Sequence, residues 1–275
     1  MKIAVVAPAC PIEIAVAEAV DAIVAEHYPG THLVYDPQCF LQHGHFAGDD
    51  QVREEAFVTA ANDPSIDAVW LARGGYGSSR FAERALSRLG SAAGDKAYLG
   101  YSDGGTLLAG LYARGIGRPA HGPMLGDIRR SSGETAVRRA LDWLTGRDPR
   151  TTLDAAVLGK GPYAAFNLTV LSHLLGTALE PDLTAHELLL EDVDEYHYRI
   201  DRALFHVTSA DSIRRVKGIR RGRFTVPQND RAFGADEDAI FHHWCDASGI
   251  ACLGTADIGH DAENKIVPFG VGRSS

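Results

Sequence analysis

Short apolar runs, each closed by a glycine- or proline-containing turn, constrain this chain most. Residues 2–7, 67–72 and 98–101 are apolar, too short for buried helices, and bounded by turn residues, so they read as buried strands. Residues 12–26, 49–61 and 106–113 carry helical patterns around them. Buried strands that alternate with helices predict an α/β fold with a parallel sheet covered on both faces, because each crossover helix covers a sheet face. The rhythm changes after Trp143, where Gly146-Arg147-Asp148-Pro149 and Gly159-Lys160-Gly161-Pro162 punctuate the chain. That change predicts an N-terminal domain over 1–145, a linker over 146–165 and a second domain over 166–275. In the latter, residues 187–190, 216–224 and 251–253 read as strands, and 168–175 and 235–247 as helices.

With 275 residues, 45% of them hydrophobic, the chain has enough apolar side chain for a substantial core. Its formal net charge of −9 opposes bulk association with nucleic acid or anionic lipid. The four cysteines, Cys10, Cys39, Cys245 and Cys252, form no paired-cysteine zinc motif and are too sparse for a disulfide scaffold. The first apolar run lacks the length and flanks of a signal peptide, and no stretch approaches the roughly 20 apolar residues of a membrane span. A cytoplasmic enzyme or binding protein is expected.

The strongest local signal is Gly100-Tyr101-Ser102-Asp103-Gly104, a GxSxG pattern between a predicted strand and a predicted helix. In that context small flanking residues let the chain turn sharply, and the turn lifts a serine hydroxyl toward a substrate carbonyl. The helix start supplies backbone N–H groups for a developing oxyanion. The alternative is that Ser102 and Asp103 simply cap the helix. A second glycine-rich turn, Arg73-Gly74-Gly75-Tyr76-Gly77-Ser78-Ser79, also follows a strand, and its amides can face an anion. It fits neither the dinucleotide fingerprint nor the P-loop.

A serine nucleophile needs a base, and twelve histidines leave that choice open. His260 sits in an Asp- and Gly-rich loop beyond a late strand, His43 and His45 flank Gly44, and His242 and His243 fall on a helix. Glu191, Asp192, Asp194 and Glu195 cluster at a strand end, where a rigid backbone can aim one carboxylate into a cleft. His43, His45, Asp49 and Asp50 offer a weak metal-ligand set without a known spacing. The basic run Arg214, Arg215, Lys217, Arg220, Arg221 and Arg223 reads better as a strand with solvated charges than as an RNA patch.

Taken together, these segments resemble the LD-carboxypeptidases, or muramoyltetrapeptide carboxypeptidases, and their relatives the microcin C immunity peptidases. Val5-Val6-Ala7-Pro8, residues 67–77, Gly100-Tyr101-Ser102-Asp103, His121-Gly122-Pro123-Met124, Asn167-Leu168, Leu190-Glu191-Asp192-Val193, residues 198–202, Gly259-His260 and Pro268-Phe269-Gly270 follow the family order over nearly the whole chain. The resemblance implies a serine peptidase with Ser102 as nucleophile, His260 as base and Glu191 as its orienting carboxylate. It places the oxyanion hole on the backbone N–H groups of Asp103 and Gly75, with Gly74 and Tyr76 contacting substrate. It implies a Rossmann-like parallel-sheet N-terminal domain and a smaller, β-rich α/β C-terminal domain with the active site at their interface, a homodimer, and no metal or organic cofactor. The implied reaction releases the terminal D-Ala of a cytoplasmic murein tetrapeptide in peptidoglycan recycling.

The sequence departs from the family pattern at Ala165-Phe166 before Asn167, at Gly104-Gly105 and at Asp261, positions that bear on cleft shape. Rival readings are a microcin-immunity-type peptidase, a non-catalytic anion-binding or ligand-sensing protein, and a general α/β-hydrolase esterase, which the lack of an HGGG-type motif disfavours. Residues 1–150 carry 15 basic and 18 acidic side chains, and 151–275 carry 12 and 18. An acidic peptide would be repelled by both halves, so a local Arg or Lys near Ser102 is expected.

Overall fold

The computed structural model describes residues 1–147, 149–159 and 161–270. In chain order the first half runs β1 (Lys2–Val6), α1 (Ile14–His27), β2 (His32–Tyr35), α2 (Asp50–Asn62), β3 (Ala68–Leu71), α3 (Ala82–Ser87), β4 (Ala97–Gly100), α4 (Gly105–Ala113), β5 (Arg118–His121) and α5 (Gly133–Leu144). After the short α6 (Pro149–Thr152) come β6 (Tyr163–Asn167), α7 (Leu168–Leu174), β7 (Glu187–Asp192), α8 (His197–Ser209), β8 (Gly218–Phe224), α9 (Glu237–Ser248), β9 (Cys252–Thr255) and β10 (Val267–Pro268).

The first sheet has the order β10-β5-β4-β3-β1-β2, parallel except for β10, which pairs antiparallel with β5. Strand order 2-1-3-4-5 is doubly wound, and in such sheets ligands bind beyond the carboxyl ends of the strands. The turns after β1, β3 and β4 converge there. The second sheet, β6-β7-β8-β9, is parallel throughout and is crossed by α7, α8 and α9. Local chemistry fixes the helix ends: Asp49, Asn167 and Asp236 accept from backbone N–H groups of the first turns of α2, α7 and α9. Gly249 closes α9 in the left-handed conformation.

Several boundaries differ from the sequence-based expectation for stated reasons. The expected linker over 146–165 holds α6 and the start of β6, whose five residues are all buried. The expected C-terminal unit sends β10 back to the first sheet, with Val267 opposite His121 and Pro268 opposite Ala120. Helix α1 starts at Ile14 rather than 12 because the Ile12 N–H donates to the Cys39 carbonyl. One large apolar cluster joins Val69, Leu71 and Leu107 of the first half to Phe166, Leu188, Leu190 and Ile219 of the second. The site lies where these halves meet.

Candidate active site

Ser102 follows β4 at φ 56°, the left-handed region that an L-residue enters only when its surroundings impose it. Those surroundings are specific. A Cβ on Gly100 would lie 2.7 Å from Leu71 Cδ1, and one on Gly104 would lie 2.5 Å from the same atom, so only glycines let the turn pack on β3. A Cβ on Gly74 would lie 2.9 Å from both Cβ and Oγ of Ser102, which seats the serine against the second glycine turn. Neither Ser102 nor Asp103 caps the helix that follows, contrary to the capping alternative. Instead the buried Asp103 carboxylate accepts from Gly77 N–H at 3.1 Å, Ser78 N–H at 2.9 Å and Ser78 Oγ at 2.5 Å. Burial raises its pKa against the opposing pull of those donors. This carboxylate ties the two glycine turns together.

Gly75 stands at φ 121°, and a Cβ there would lie 2.4 Å from Cys10 Sγ, so the position excludes any side chain. The backbone N–H groups of Gly75 and Asp103 have no acceptor among the described residues, which leaves both available to an oxyanion. Tyr76 is 53% exposed and leans toward Phe46, with ring centroids 6.3 Å apart, at the outer rim.

From the second sheet, Glu191 near the end of β7 is fully buried and accepts a 2.6 Å hydrogen bond from His260 Nδ1. An ionised carboxylate only accepts, so Nδ1 carries the proton and Nε2 of the neutral ring keeps its lone pair. That Nε2 is buried and has no hydrogen-bond partner among the described residues. The His260 ring lies 4.7 Å from the ring of Tyr101, the residue before Ser102. Burial penalises the imidazolium, yet the charge and hydrogen bond of Glu191 outweigh it, holding the His260 pKa above its usual value.

A buried support holds the His260 loop, and sequence reasoning missed it. The Asn264 side-chain oxygen accepts from Gly259 N–H at 3.2 Å and bonds His121 Nε2 at 3.2 Å. Burial pushes His121 down to about 4, so it is neutral at neutral pH and donates through Nε2. Arg139 Nη1 donates to the carbonyls of Ala262 at 2.6 Å and Asn264 at 3.0 Å. Asp261, one of the departures from the family pattern, pairs with Arg223 of β8, with Oδ1 2.8 Å from Nη2. His121 is visible only as part of a motif, and nothing in the spacing of Arg139 or Asn264 announces a role in holding the loop of residues 259–264.

Other candidates go elsewhere. Asp192 accepts from Asn167 Nδ2 and from Thr169 N–H and Oγ1, and burial together with the neighbouring Glu191 charge pushes it up to about 6. Asp194 is exposed and Glu195 faces Arg199 at 3.6 Å. His45 Nε2 meets Cys10 Sγ at 3.3 Å, His43 bridges Phe46, Asp49 caps α2, and Asp50 pairs with Arg53 and Arg80. The weak metal-ligand set is therefore dispersed. His242 and His243 are exposed on α9. The basic run is largely neutralised in place: Lys217 and Arg220 pair with Glu187, Arg221 with Asp238, and Arg223 with Asp257 and Asp261. No helix among the described residues is long and apolar enough to cross a membrane.

The arrangement supports base-assisted attack by a hydroxyl on a carbonyl, with two free amides to receive the oxyanion. Comparison with known proteins gives the family and the fold. Residues 3–122 match the model of the LD-carboxypeptidase N-terminal domain, and residues 160–273 that of the LD-carboxypeptidase C-terminal domain. A Synechocystis sp. protein whose name assigns it provisionally to the carboxypeptidases is 31% identical, over 88% of this chain and 80% of its own. The murein tetrapeptide carboxypeptidase of Pseudomonas aeruginosa is 27% identical, over 98% of this chain and 91% of its own. In fold, the crystal structure of muramoyltetrapeptide carboxypeptidase from Oxalobacter formigenes matches with a TM-score of 0.81 at 22% identity, covering 98% and 93% of the two chains. The microcin C7 self immunity protein MccF in complex with aspartyl sulfamoyl adenosine matches with a TM-score of 0.78 at 18% identity, covering 98% and 91%.

Proposed function

The chain belongs to the LD-carboxypeptidase family, and from that premise we propose that it is a serine carboxypeptidase of murein recycling. Its substrate is a cytoplasmic murein tetrapeptide, cut between the L-centre of the diamino acid and the terminal D-Ala. The observation that carries this reading is the buried His260–Glu191 pair, whose unpartnered Nε2 lies beside the turn that presents Ser102.

Ser102 Oγ attacks the scissile carbonyl while His260 Nε2 takes its proton. Glu191 orients the ring and stabilises the cation that forms. The N–H groups of Asp103 and Gly75 receive the oxyanion, and Gly74 and Tyr76 border the bound peptide. His260 then returns the proton to the departing D-Ala amine, and water repeats the sequence in reverse on the acyl-enzyme. This chemistry calls on no metal or organic cofactor.

The test is incubation of the purified protein with L-Ala-D-Glu-meso-diaminopimelate-D-Ala and its L-Lys counterpart, with D-Ala release followed by mass spectrometry. Release by the intact protein, reduced at least roughly a thousandfold in Ser102→Ala, is expected. Undiminished turnover by Ser102→Ala would remove the serine from the mechanism. Cleavage of an aminoacyl sulfamoyl adenosine with no D-Ala release from either peptide would remove the murein assignment.

A further inference from the structure

Arg130 sits at the edge of the site with its orientation fixed from the inside. Its Nε donates to Asp127 Oδ1 at 2.7 Å, and its Nη2 lies 3.3 Å from Tyr101 Oη. The buried Asp127 is itself saturated, since Oδ1 also accepts from Tyr101 Oη at 2.9 Å and Oδ2 accepts from Met124 N–H at 2.8 Å. One edge of the guanidinium is therefore held, while Nη1 has no partner among the described residues and the side chain remains 36% exposed. Tyr101, which shares this network, precedes Ser102 and packs its ring on His260. The Arg130 charge is close enough to oppose protonation of His260. Of the neighbouring cations, Arg129 pairs with Glu13 at 3.3 Å, and the exposed Arg73 donates to the Pro11 carbonyl at 3.2 Å without, among the described residues, the carboxylate anchor that fixes Arg130.

We propose that Arg130 binds the terminal carboxylate of the peptide substrate through its open Nη1 edge. The inference rests on the carboxypeptidase reading above and names the group that makes the enzyme act at a chain end. A molecule of net charge −9 repels an acidic peptide, so a preset cation must supply local attraction. A guanidinium with one edge anchored loses little further freedom when its other edge engages a carboxylate.

The test separates binding from turnover. In a Ser102→Ala background, calorimetry measures affinity for L-Ala-D-Glu-meso-diaminopimelate-D-Ala and for the same peptide ending in D-alaninamide. The acid is expected to bind about 10- to 100-fold more tightly than the amide, the range of a charge-assisted hydrogen bond. Arg130→Gln is expected to abolish that preference, and Arg130→Lys, a backup should the glutamine variant not fold, to reduce it. Equal affinity for acid and amide with Arg130 present, or a preference that survives Arg130→Gln, overturns the inference while leaving D-Ala release to judge the proposed function. No binding of either peptide overturns both.

Discussion

Ser102 at φ 56° occupies a region that costs an L-residue roughly 1–2 kcal/mol, and His260 is buried with an Nε2 that has no partner among the described residues. Both features disfavour the unliganded protein and make sense where a reacting group is to be placed between them. The Glu191–His260 pair sets opposite demands on pH. Because Glu191 raises the His260 pKa, the pair contributes stability fully below about pH 6.5, the unfolded value, and loses it as pH rises through the raised folded value. The base function needs the neutral ring, so kcat/KM is expected to rise with pH through an apparent pKa above the usual imidazole value. Glu191→Gln removes the charge that holds the His260 pKa up against burial and the Arg130 charge, so its limb should move to lower pH while the plateau falls by about 10³–10⁴, as in triads that lose their orienting carboxylate. Pre-steady-state pH–rate profiles of the two proteins check this, and a limb that stays in place would mean that another group titrates.

The loop between β9 and β10 is the element that carries His260, and it is held mainly by side chains rather than by its own turns. Asn264, fully buried, gathers Gly259 N–H and His121 Nε2 onto one oxygen. Asn264→Ala leaves both donors without an acceptor, at a cost of about 1–3 kcal/mol for each buried group. The variant should melt at lower temperature and lose kcat with little change in KM, because His260 is displaced while the proposed substrate contacts of the first half, Gly74 and Tyr76, remain. Thermal melts with steady-state kinetics test it; a change confined to KM would assign Asn264 to substrate contact instead. The serine turn was legible in the sequence because its two glycines, its strand and its helix are all local. The His121–Asn264–Gly259 support was not, because its partners lie 143 and 5 residues apart and no periodicity links them. Strand β5 escaped for a related reason: Arg-Pro-Ala-His has no strand signature of its own and is drawn into the sheet by β4 on one side and β10 on the other. Strand β6 fell in the predicted linker because Gly159 and Gly161-Pro162 immediately precede it and advertise a loop.

At the scale of the whole molecule, the two sheets are joined by more than the chain between them. Tyr163 of β6 exchanges backbone hydrogen bonds with Gly270, just beyond β10, while β10 pairs with β5, so the chain end stitches one sheet to the other. Phe269 packs there with its ring 5.0 Å from Phe166 of the second sheet and 5.7 Å from Tyr112, just after Leu111 on α4 of the first half. The proposed nucleophile follows a strand of the first sheet and the proposed base sits on the loop that joins β9 to β10, so the proposed mechanism needs such a seam, since a displacement of about 1 Å between reacting groups can cost a hundredfold in rate. Phe269→Ala should therefore cost about 3–5 kcal/mol, the usual range for deleting a buried aromatic ring. Activity and fold should disappear together. Trp70 is buried in the first sheet and Trp244 lies on α9 of the second, so single-tryptophan versions report the two halves separately during urea denaturation. One coincident transition, shifted to lower urea by Phe269→Ala, is expected from the shared apolar cluster. Two separated transitions in the unsubstituted protein would mean that the halves fold independently, and the geometry between Ser102 and His260 would then depend on docking rather than on a common core.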